Sequence, residues 1–444
     1  MNHRAVAVVD LGFGDAGKGL VVDYLARRGS TGEGAGLVVR FNGGAQAAHN
    51  VVTPDGRHHA FAQLGAGTFV PGVRTHLASR VVVHPTGLLV EAARLATVGV
   101  TDALDRVTVS PDAWIVTPFH QAACRVRELA RGSGGRHGSC GVGVGEVMAD
   151  GLGTGRPVRA RDLRDPGSLR RLLEGVQERI RESLRGEREA ARRDPGGHDE
   201  LAVLDDPSAV DRWIDATRAF ATRIALVPDR LVGEALARGH RVIFEGAQGV
   251  LLDEDYGFHP YTTWSRCTFA NAVDLLADAC PGQPLFRLGV ARVYAHRHGP
   301  GPLPTESPEL AGRLVERHNV AGPWQGHFRV GWPDLVLVRY SVAAAGGVDG
   351  LALTHLDAFE RAGPWRIATA YDGGRLSDWP LLPPADLSAR EDATRRLMKV
   401  APDLAPAGPG DVEDALCAAY GAPLVLRSFG PVSSDVREGP PNPL

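Results

Sequence analysis

The sequence predicts an α/β protein built on a large, mostly parallel β-sheet flanked by helices. Three observations carry that expectation. Short apolar runs of strand length recur along the chain, and helix-like segments separate several of them. The first run, Ala5–Val9, feeds straight into a glycine-rich turn, and VVDYLARR after the turn reads as the start of a helix.

The remaining runs are Gly36–Phe41, Val81–Val83, Val107–Val109, Arg241–Phe244, Leu285–Val290, Leu335–Val338, Leu351–Leu353 and Pro423–Leu426, each read as a buried parallel strand. Between Asp165 and Asp194 the pattern changes: Leu169, Leu172, Leu173, Val176, Ile180 and Leu184 recur at helical spacing among Arg and Glu. That predicts an amphipathic helix packed on the sheet, its charges solvated. Arg192–Pro207 reads as an exposed loop, and Val436–Leu444, with its prolines, as extended chain. The expected organisation is one domain over 1–444 with a helical, charged subregion at about 164–230.

Composition narrows the class. The chain has 444 residues, 43% of them hydrophobic, and a formal net charge of −3, an ordinary globular balance. A general nucleic-acid binder needs a basic field, which this balance does not supply. No run of about eighteen apolar residues is present, so no membrane span is expected. The N-terminus enters a strand at once, with no pattern of a secretory leader, and a cytoplasmic protein is expected. Cys124, Cys140, Cys267, Cys280 and Cys417 are scattered, which suits buried free thiols better than metal ligation. Only Cys140 stands apart, because it lies in a glycine-rich stretch.

The glycine turn is LGFGDAGKGL, Leu11–Leu20. It follows the phosphate-loop pattern G-x-x-x-x-G-K-[ST] through Lys18, then places Gly19 where a magnesium-binding hydroxyl belongs and Asp15 inside the loop. Strand, glycine turn and helix is the setting in which backbone N–H groups hold phosphate. Lys18 and Lys399 are the only lysines in a chain rich in arginine. A lysine kept in this loop suits a compact ammonium beside a terminal phosphate.

Further polar clusters follow strand-like runs, where open α/β sheets bind ligands. Phe41–Asn50, FNGGAQAAHN, brings His49. Val242–Thr263, VIFEGAQGVLLDEDYGFHPYTT, brings the glycine-flanked Gln248 and ends at Thr263. Val293–Glu306 is a Gly/Pro-rich loop, and SFGP at Ser428–Pro431 is a short turn. THLD ends in Asp357, whose carboxylate suits the paired N1–H and 2-amino donors of guanine, a pair that adenine lacks.

Taken together the motifs resemble the adenylosuccinate synthetase family over Val8 to Pro431. GDAGKG stands for the family's GDEGKG, NGGAQAAHN for GGHNAGHT, and FEGAQGVLLDEDYG for FEGAQG-x-LLD-x-D-x-G. GPGPLPTE stands for GAGPFPTE, GWPDLVLVR for GWLD-x-V-x-x-R, THLD for TKLD and SFGP for STGP. The resemblance implies a P-loop-like fold and a GTP-dependent, Mg²⁺-requiring ligase. Such an enzyme phosphorylates O6 of a 6-oxopurine nucleotide and then lets an amine displace phosphate. It implies Asp15 as base and magnesium ligand, the backbone carbonyl of Ala48 as a second metal ligand, and His49 as donor to the transferring phosphoryl group. Gly14, Gly17, Lys18 and Gly19 would hold phosphate, and Asp357 with Ser428 and Gly430 would read guanine. Gln46, Ser139, Cys140, Gln248 and Thr263 would bind the nucleotide substrate. The partners implied are small molecules, with a homodimer completing the site and neither nucleic acid nor membrane involved.

The departures cluster. The family's aspartate-binding TTGRRRRTGW appears as PWQGHFRVGW, Pro323–Trp332, in which only Arg329 remains beside Trp324, Gln325 and His327. Carboxylate recognition uses guanidinium forks, so a dianionic amine is disfavoured. GTTGRGIGP appears as GSCGVGVGE, Gly138–Glu146, and the arginine supplied across the family's dimer has only Arg156 and Arg159 as candidates. Ala16 stands for glutamate and His355 for the lysine beside Asp357, leaving GTP over ATP as an expectation. The favoured reading is a divergent ligase whose amine is not aspartate. The alternatives are the purine-pathway enzyme itself, with Arg297 and Arg329 covering aspartate, and a nucleotide-binding regulatory module without turnover.

Overall fold

The computed structural model describes residues 3–29, 36–46, 48–132, 135, 137–314, 316, 324 and 326–440. Ten strands form the main sheet: β1 (Ala5–Asp10), β2 (Leu37–Arg40), β3 (Arg74–Leu77), β4 (Val107–Val109), β5 (Ala225–Leu226), β6 (Val242–Glu245), β7 (Phe286–Arg292), β8 (Gly350–Thr354), β9 (Leu424–Ser428) and β10 (Val436–Glu438). Their spatial order is β10-β9-β8-β7-β1-β6-β2-β3-β4-β5. All neighbours run parallel except β9 and β10, which pair antiparallel. The α/β class and the parallel sheet expected from the sequence are therefore present.

Alternation along β1 shows why the strands read as unbroken apolar runs. Val6 and Val8 join one hydrophobic core, while Ala5, Ala7 and Val9 join the other, on the opposite face. Helices cover both faces, so each strand residue is buried whichever way it points. At about 1.5–3 kcal/mol for each large apolar side chain removed from water, these strands hold the scaffold rigid.

Several sequence-based expectations need correction. Leu335–Val338 is not a strand but the first turn of the helix Leu335–Ala345. Asp334 caps it by accepting from Val336 and Leu337 N–H, and Gly346 ends it in the left-handed conformation. The run looked like a strand because nearly the whole helix is buried, which erases the polar face that betrays helical period. Arg192–Pro207 is not a loop either. It contains the helix Pro195–Asp205, started by Asp194 and Pro195 and anchored by buried Leu201 and Leu204.

The helix Pro166–Ser183 exists, with Leu169, Leu173, Val176 and Ile180 buried, but it packs on the helices Pro118–Ala130, Pro195–Asp205 and Ala209–Arg223, not on the sheet. Val82–Val83 pairs with Trp114–Ile115 in a separate two-stranded sheet. Val436–Glu438 is extended as expected; residues 441–444 lie outside the described residues. No helix among them is long and apolar enough to cross a membrane.

Candidate active site

The functional loops leave the carboxyl ends of β1, β2, β6, β7, β8 and β9, side by side along one edge of the sheet. The turn after β1 is held from within. Asp10, fully buried at the strand's last position, accepts from the N–H of Gly12 at 2.9 Å, Gly14 at 3.3 Å and Ala16 at 2.8 Å. Its carboxylate also takes the Lys18 ammonium at 3.0 Å. Burial opposes that charge, but Lys18, His296 and the loop amides outweigh it and keep the Asp10 pKa below the ordinary carboxylate value. From outside, the Gly14, Asp15 and Ala16 carbonyls accept from His296 Nε2, from Arg292 Nε at 2.8 Å and from Thr354 Oγ1 at 2.7 Å.

The turn after β6 packs directly on this loop. A Cβ at Gly249 would lie 2.3 Å from the Gly12 carbonyl oxygen, so only glycine permits the approach. Lys18 also donates to the Gln248 carbonyl at 2.7 Å, tying the two turns together. Asp15, Gln248 and His355 all take left-handed backbone (φ 58°, 55° and 59°) although none is glycine. Strain of this kind concentrates where a loop is held for function.

His49 opens the short strand His49–Val52 and is buried. Its Nδ1 lies 2.5 Å from Glu245 Oε1, and the other Glu245 oxygen accepts from Ala66 N–H at 2.9 Å. Burial lowers the imidazole to about 4 despite the pull of Glu245 in the other direction, with Arg40 and Lys18 adding to the lowering. At neutral pH His49 is thus uncharged, its Nδ1–H directed at the carboxylate. Burial pushes the Glu245 carboxyl up, but His49, Arg40 and the Ala66 N–H together outweigh it and leave its pKa lowered.

Two large cavities meet over these residues. The first, about 810 Å³, is lined by Gly14, Gln46, Ser139, Cys140, Gln248, Thr263 and Arg297 among others. The second, about 670 Å³, is lined by Gly17, Gly19, Asp357, Ser428 and Gly430. Asp15, Lys18, Ala48, His49 and Asn50 line both. A reactant in each cavity would therefore meet the other beside the half-buried Asp15 and the buried His49. Lys18, Gly19 and Leu20, the first turn of the helix Lys18–Gly29, line the second cavity, and N–H groups at such a helix start have no partner within the helix.

The structure thus brings the candidate catalytic, phosphate-, guanine- and nucleotide-binding residues onto these two cavities, but not Arg329. That guanidinium donates to Glu306 Oε1 at 3.0 Å and to the Gly299 and Gly301 carbonyls at 3.1 and 2.9 Å, and it lines neither cavity. Arg297 does line the first cavity. It donates to the Pro300 carbonyl at 2.7 Å and stacks over Phe13, leaving Nη1 buried and unpaired. Burial, and then the neighbouring Arg329, both disfavour its charge. Gln46 Oε1 and both amide atoms of Gln248 are likewise buried without partners. Such atoms cost free energy unless a ligand satisfies them. Trp324 packs on Gly141, within contact of where a Cβ would stand, and Arg125 lies 5.9 Å over its ring. Gln325 lies outside the described residues. Arg156 is exposed, and Arg159 pairs with Asp112 at 3.0 Å.

Among the described residues no three His, Cys, Asp or Glu side chains gather to hold a metal unaided. The Asp15 carboxylate and the exposed Ala48 carbonyl on the shared wall suit Mg²⁺ nonetheless, because that ion usually takes one or two protein oxygens and the rest from phosphate and water.

Asp10, Glu245, Arg292 and His296 escaped the sequence reading. Glu245 carried a signal: it is a charge inside an apolar strand run, and all of β6 is buried. Asp10, ending the run AVAVVD, carried the same one. Arg292, buried against Tyr294 and Glu316, sits at the end of β7 where neither spacing nor composition marks it.

A family model described as adenylosuccinate synthetase matches residues 7–398. The adenylosuccinate synthetase of Neisseria gonorrhoeae (strain ATCC 700825 / FA 1090) is 33% identical over 382 residues, spanning 84% of this chain and 82% of that protein. That of Neisseria meningitidis serogroup C (strain 053442) is 33% identical over 385 residues, spanning 85% and 83%. Among solved structures, fully ligated adenylosuccinate synthetase from Plasmodium falciparum superposes with a TM-score of 0.77 at 20% identity, covering 98% of this chain and 100% of that one. Cyanophage S-2L succinoaminodeoxyadenylate synthetase, bound to dGMP and dATP as an energy donor, gives 0.56 at 21% identity, covering 99% and 96%. At these identities the two structures speak to the fold.

Proposed function

Because the chain belongs to the adenylosuccinate synthetase family, whose members are GTP-dependent ligases, we propose that it joins an amine other than aspartate to an oxo-compound activated by GTP. The observation that carries this reading is the pair of cavities sharing Asp15, Lys18 and His49.

In this reading the nucleoside triphosphate lies in the second cavity. Asp357 faces the donor edge of guanine, and the turn Ser428–Gly430 lies alongside. Arg361 holds one Asp357 oxygen at 2.5 Å and so fixes the direction of the carboxylate. The acceptor lies in the first cavity. Its lactam N–H gives a proton to Asp15, and the carbonyl oxygen attacks the γ-phosphorus as the bond to the β-phosphate oxygen breaks and GDP leaves. Bound to Asp15 and Ala48, Mg²⁺ would neutralise charge on the phosphate oxygens. Lys18 and the helix amides hold the transferring group. His49, oriented by Glu245, supplies a hydrogen bond to it once the incoming phosphate draws a proton onto the imidazole. The amine nitrogen then attacks the activated carbon, the C–O bond breaks, inorganic phosphate departs, and the amine's surplus proton passes to solvent or to a phosphate oxygen.

The amine follows from the guanidinium count. Arg329 is occupied by Glu306, which leaves Arg297 as the arginine on the first cavity wall with no carboxylate partner among the described residues. One guanidinium matches one carboxylate, so a monoanionic or neutral amine fits better than aspartate. The phage neighbour, bound to dGMP and dATP as an energy donor, supports altered nucleotides on this fold. A homodimer belongs to the same reading: Trp264, on the wall of the first cavity, is 49% exposed and offers a surface for a partner to cover. Sedimentation equilibrium tests that part.

The deciding experiment incubates the purified protein with GTP, Mg²⁺, 6-oxopurine acceptors and a panel of amines, following phosphate release and new C–N products by mass spectrometry. A product with a non-aspartate amine, formed faster than adenylosuccinate, supports the reading. Rapid adenylosuccinate formation from IMP and aspartate would replace it with the purine-pathway enzyme.

A further inference from the structure

A phenyl ring stands out on the wall of the second cavity. Phe429, just past the end of β9, is 38% exposed and lines the cavity that Asp357 also lines. Its backbone is held in place. The Phe429 N–H donates to the Asp435 carbonyl at 3.1 Å, and Ser428 Oγ donates to the Gly430 carbonyl at 2.8 Å. The Ser428 carbonyl accepts from Leu356 N–H at 3.0 Å, which ties this turn to the one that carries Asp357. The Arg437 guanidinium lies 4.7 Å over the ring, a cation on its π-face. Tyr294 and His355 on the same wall are engaged with each other, edge to face at 5.8 Å. An apolar ring left in water beside a ligand cavity gains by burial against a flat partner. The family's STGP has threonine at this place in SFGP, and threonine has no face to stack.

Resting on the ligase reading above, which puts the nucleoside triphosphate in this cavity, we propose that Phe429 stacks on its purine base. Stacking is indifferent to the groups on a base's edge, because every base has a π-face. Phe429 thus supplies affinity for any purine triphosphate, while Asp357 supplies the choice between guanine and adenine.

The test is equilibrium binding of GTP, ATP and inorganic tripolyphosphate, each with Mg²⁺, by calorimetry, to the full chain and to its Phe429→Thr and Phe429→Tyr variants. Phe429→Thr should weaken GTP and ATP by a common factor of about tenfold and leave tripolyphosphate, which has no base, unmoved. Phe429→Tyr keeps a π-face and should bind both nucleotides as the native protein does. Unchanged GTP affinity in Phe429→Thr overturns the proposal while leaving the ligase reading in place. So does a tripolyphosphate affinity that falls with the others, since that loss lies in the phosphate site. A loss confined to GTP would make Phe429 part of the guanine-reading edge and overturns the stacking role. Binding of neither nucleotide by the native protein removes the ligase reading, and this proposal with it.

Discussion

The two cavities are built from different kinds of chain. The second is walled chiefly by residues at the ends of β1, β8 and β9, whose backbones the parallel ladder holds in place. Much of the first is walled by 137–146 and 259–264, segments that lie outside the main sheet. Of the departures from the family's motifs, those at Gln46 and 138–146 wall the first and those at His355 and Phe429 wall the second, while the retained Arg329 walls neither. Backbone fixed by a sheet keeps its geometry and with it the nucleotide chemistry, whereas loops beside it can exchange side chains at little cost to the fold. On the proposed reading, activation of an oxygen and choice of an amine are separable, and mutations should separate them.

The largest effect is expected at the junction. Asp15→Asn removes the proposed base and should lower turnover by about 10²–10⁴-fold, with GTP affinity largely retained by calorimetry. Undiminished phosphate release would end the base assignment. Next comes the imidazole pair. Glu245→Gln should reduce kcat by about 10²-fold, because Glu245 orients His49 and stabilises its proton. Burial above all holds His49 at about 4. An incoming phosphate raises that value, so GTP binding should take up a proton near pH 7 and weaken as pH rises. Binding enthalpies in buffers of different ionisation heat measure the uptake, and an absence of uptake would remove His49 from phosphate contact. In the second cavity, Asp357→Asn should cut discrimination between GTP and ATP by about tenfold or more, read from competing kcat/KM values. Equal use of both nucleotides by the native enzyme would exclude the guanine role.

How much of this was legible follows the same division. Asp15, Lys18, His49, Gln248 and Asp357 could be read because a glycine, a strand end or a polar residue in an apolar setting marked each one. The sheet was legible because parallel strands buried on both faces leave unbroken apolar runs. That same rule misread Leu335–Val338, a helix buried all round. Pro195–Asp205 was missed because its Pro-Gly-Gly start looks like a turn, although Asp194 and Pro195 form a helix-starting pair. The commitment of Arg329 to Glu306 could not be read, since a long-range ion pair leaves no local pattern.

A smaller effect contrasts two arginines. Arg297→Met should raise KM for the anionic reactant by about tenfold, with kcat nearly intact, whereas Arg329→Met should change KM little and lower the melting temperature instead. Reversed outcomes would make Arg329 the ligand-binding group.

The smallest effect on turnover, and the sharpest test of how the phosphate loop is held, concerns Asp10. Its carboxylate binds three loop amides and offsets the charge of Lys18. Asp10→Asn keeps an oxygen for some of those amides but sets an NH₂ group against the rest and against the ammonium. The loop should loosen, at a cost of about 1–3 kcal/mol in stability. Lys18, released from its counter-charge, should hold phosphate more tightly, so KM for GTP should fall a few-fold even as the protein melts earlier. The sign of the pH dependence separates this from general damage. Asp10 has a lowered pKa in the folded chain, so its contribution is complete at neutral pH and lost as pH falls below about 4 through the folded value. In acid the native protein should therefore lose stability faster than the variant. Parallel stability curves for the two proteins would mean that Asp10 does not hold the loop through its charge.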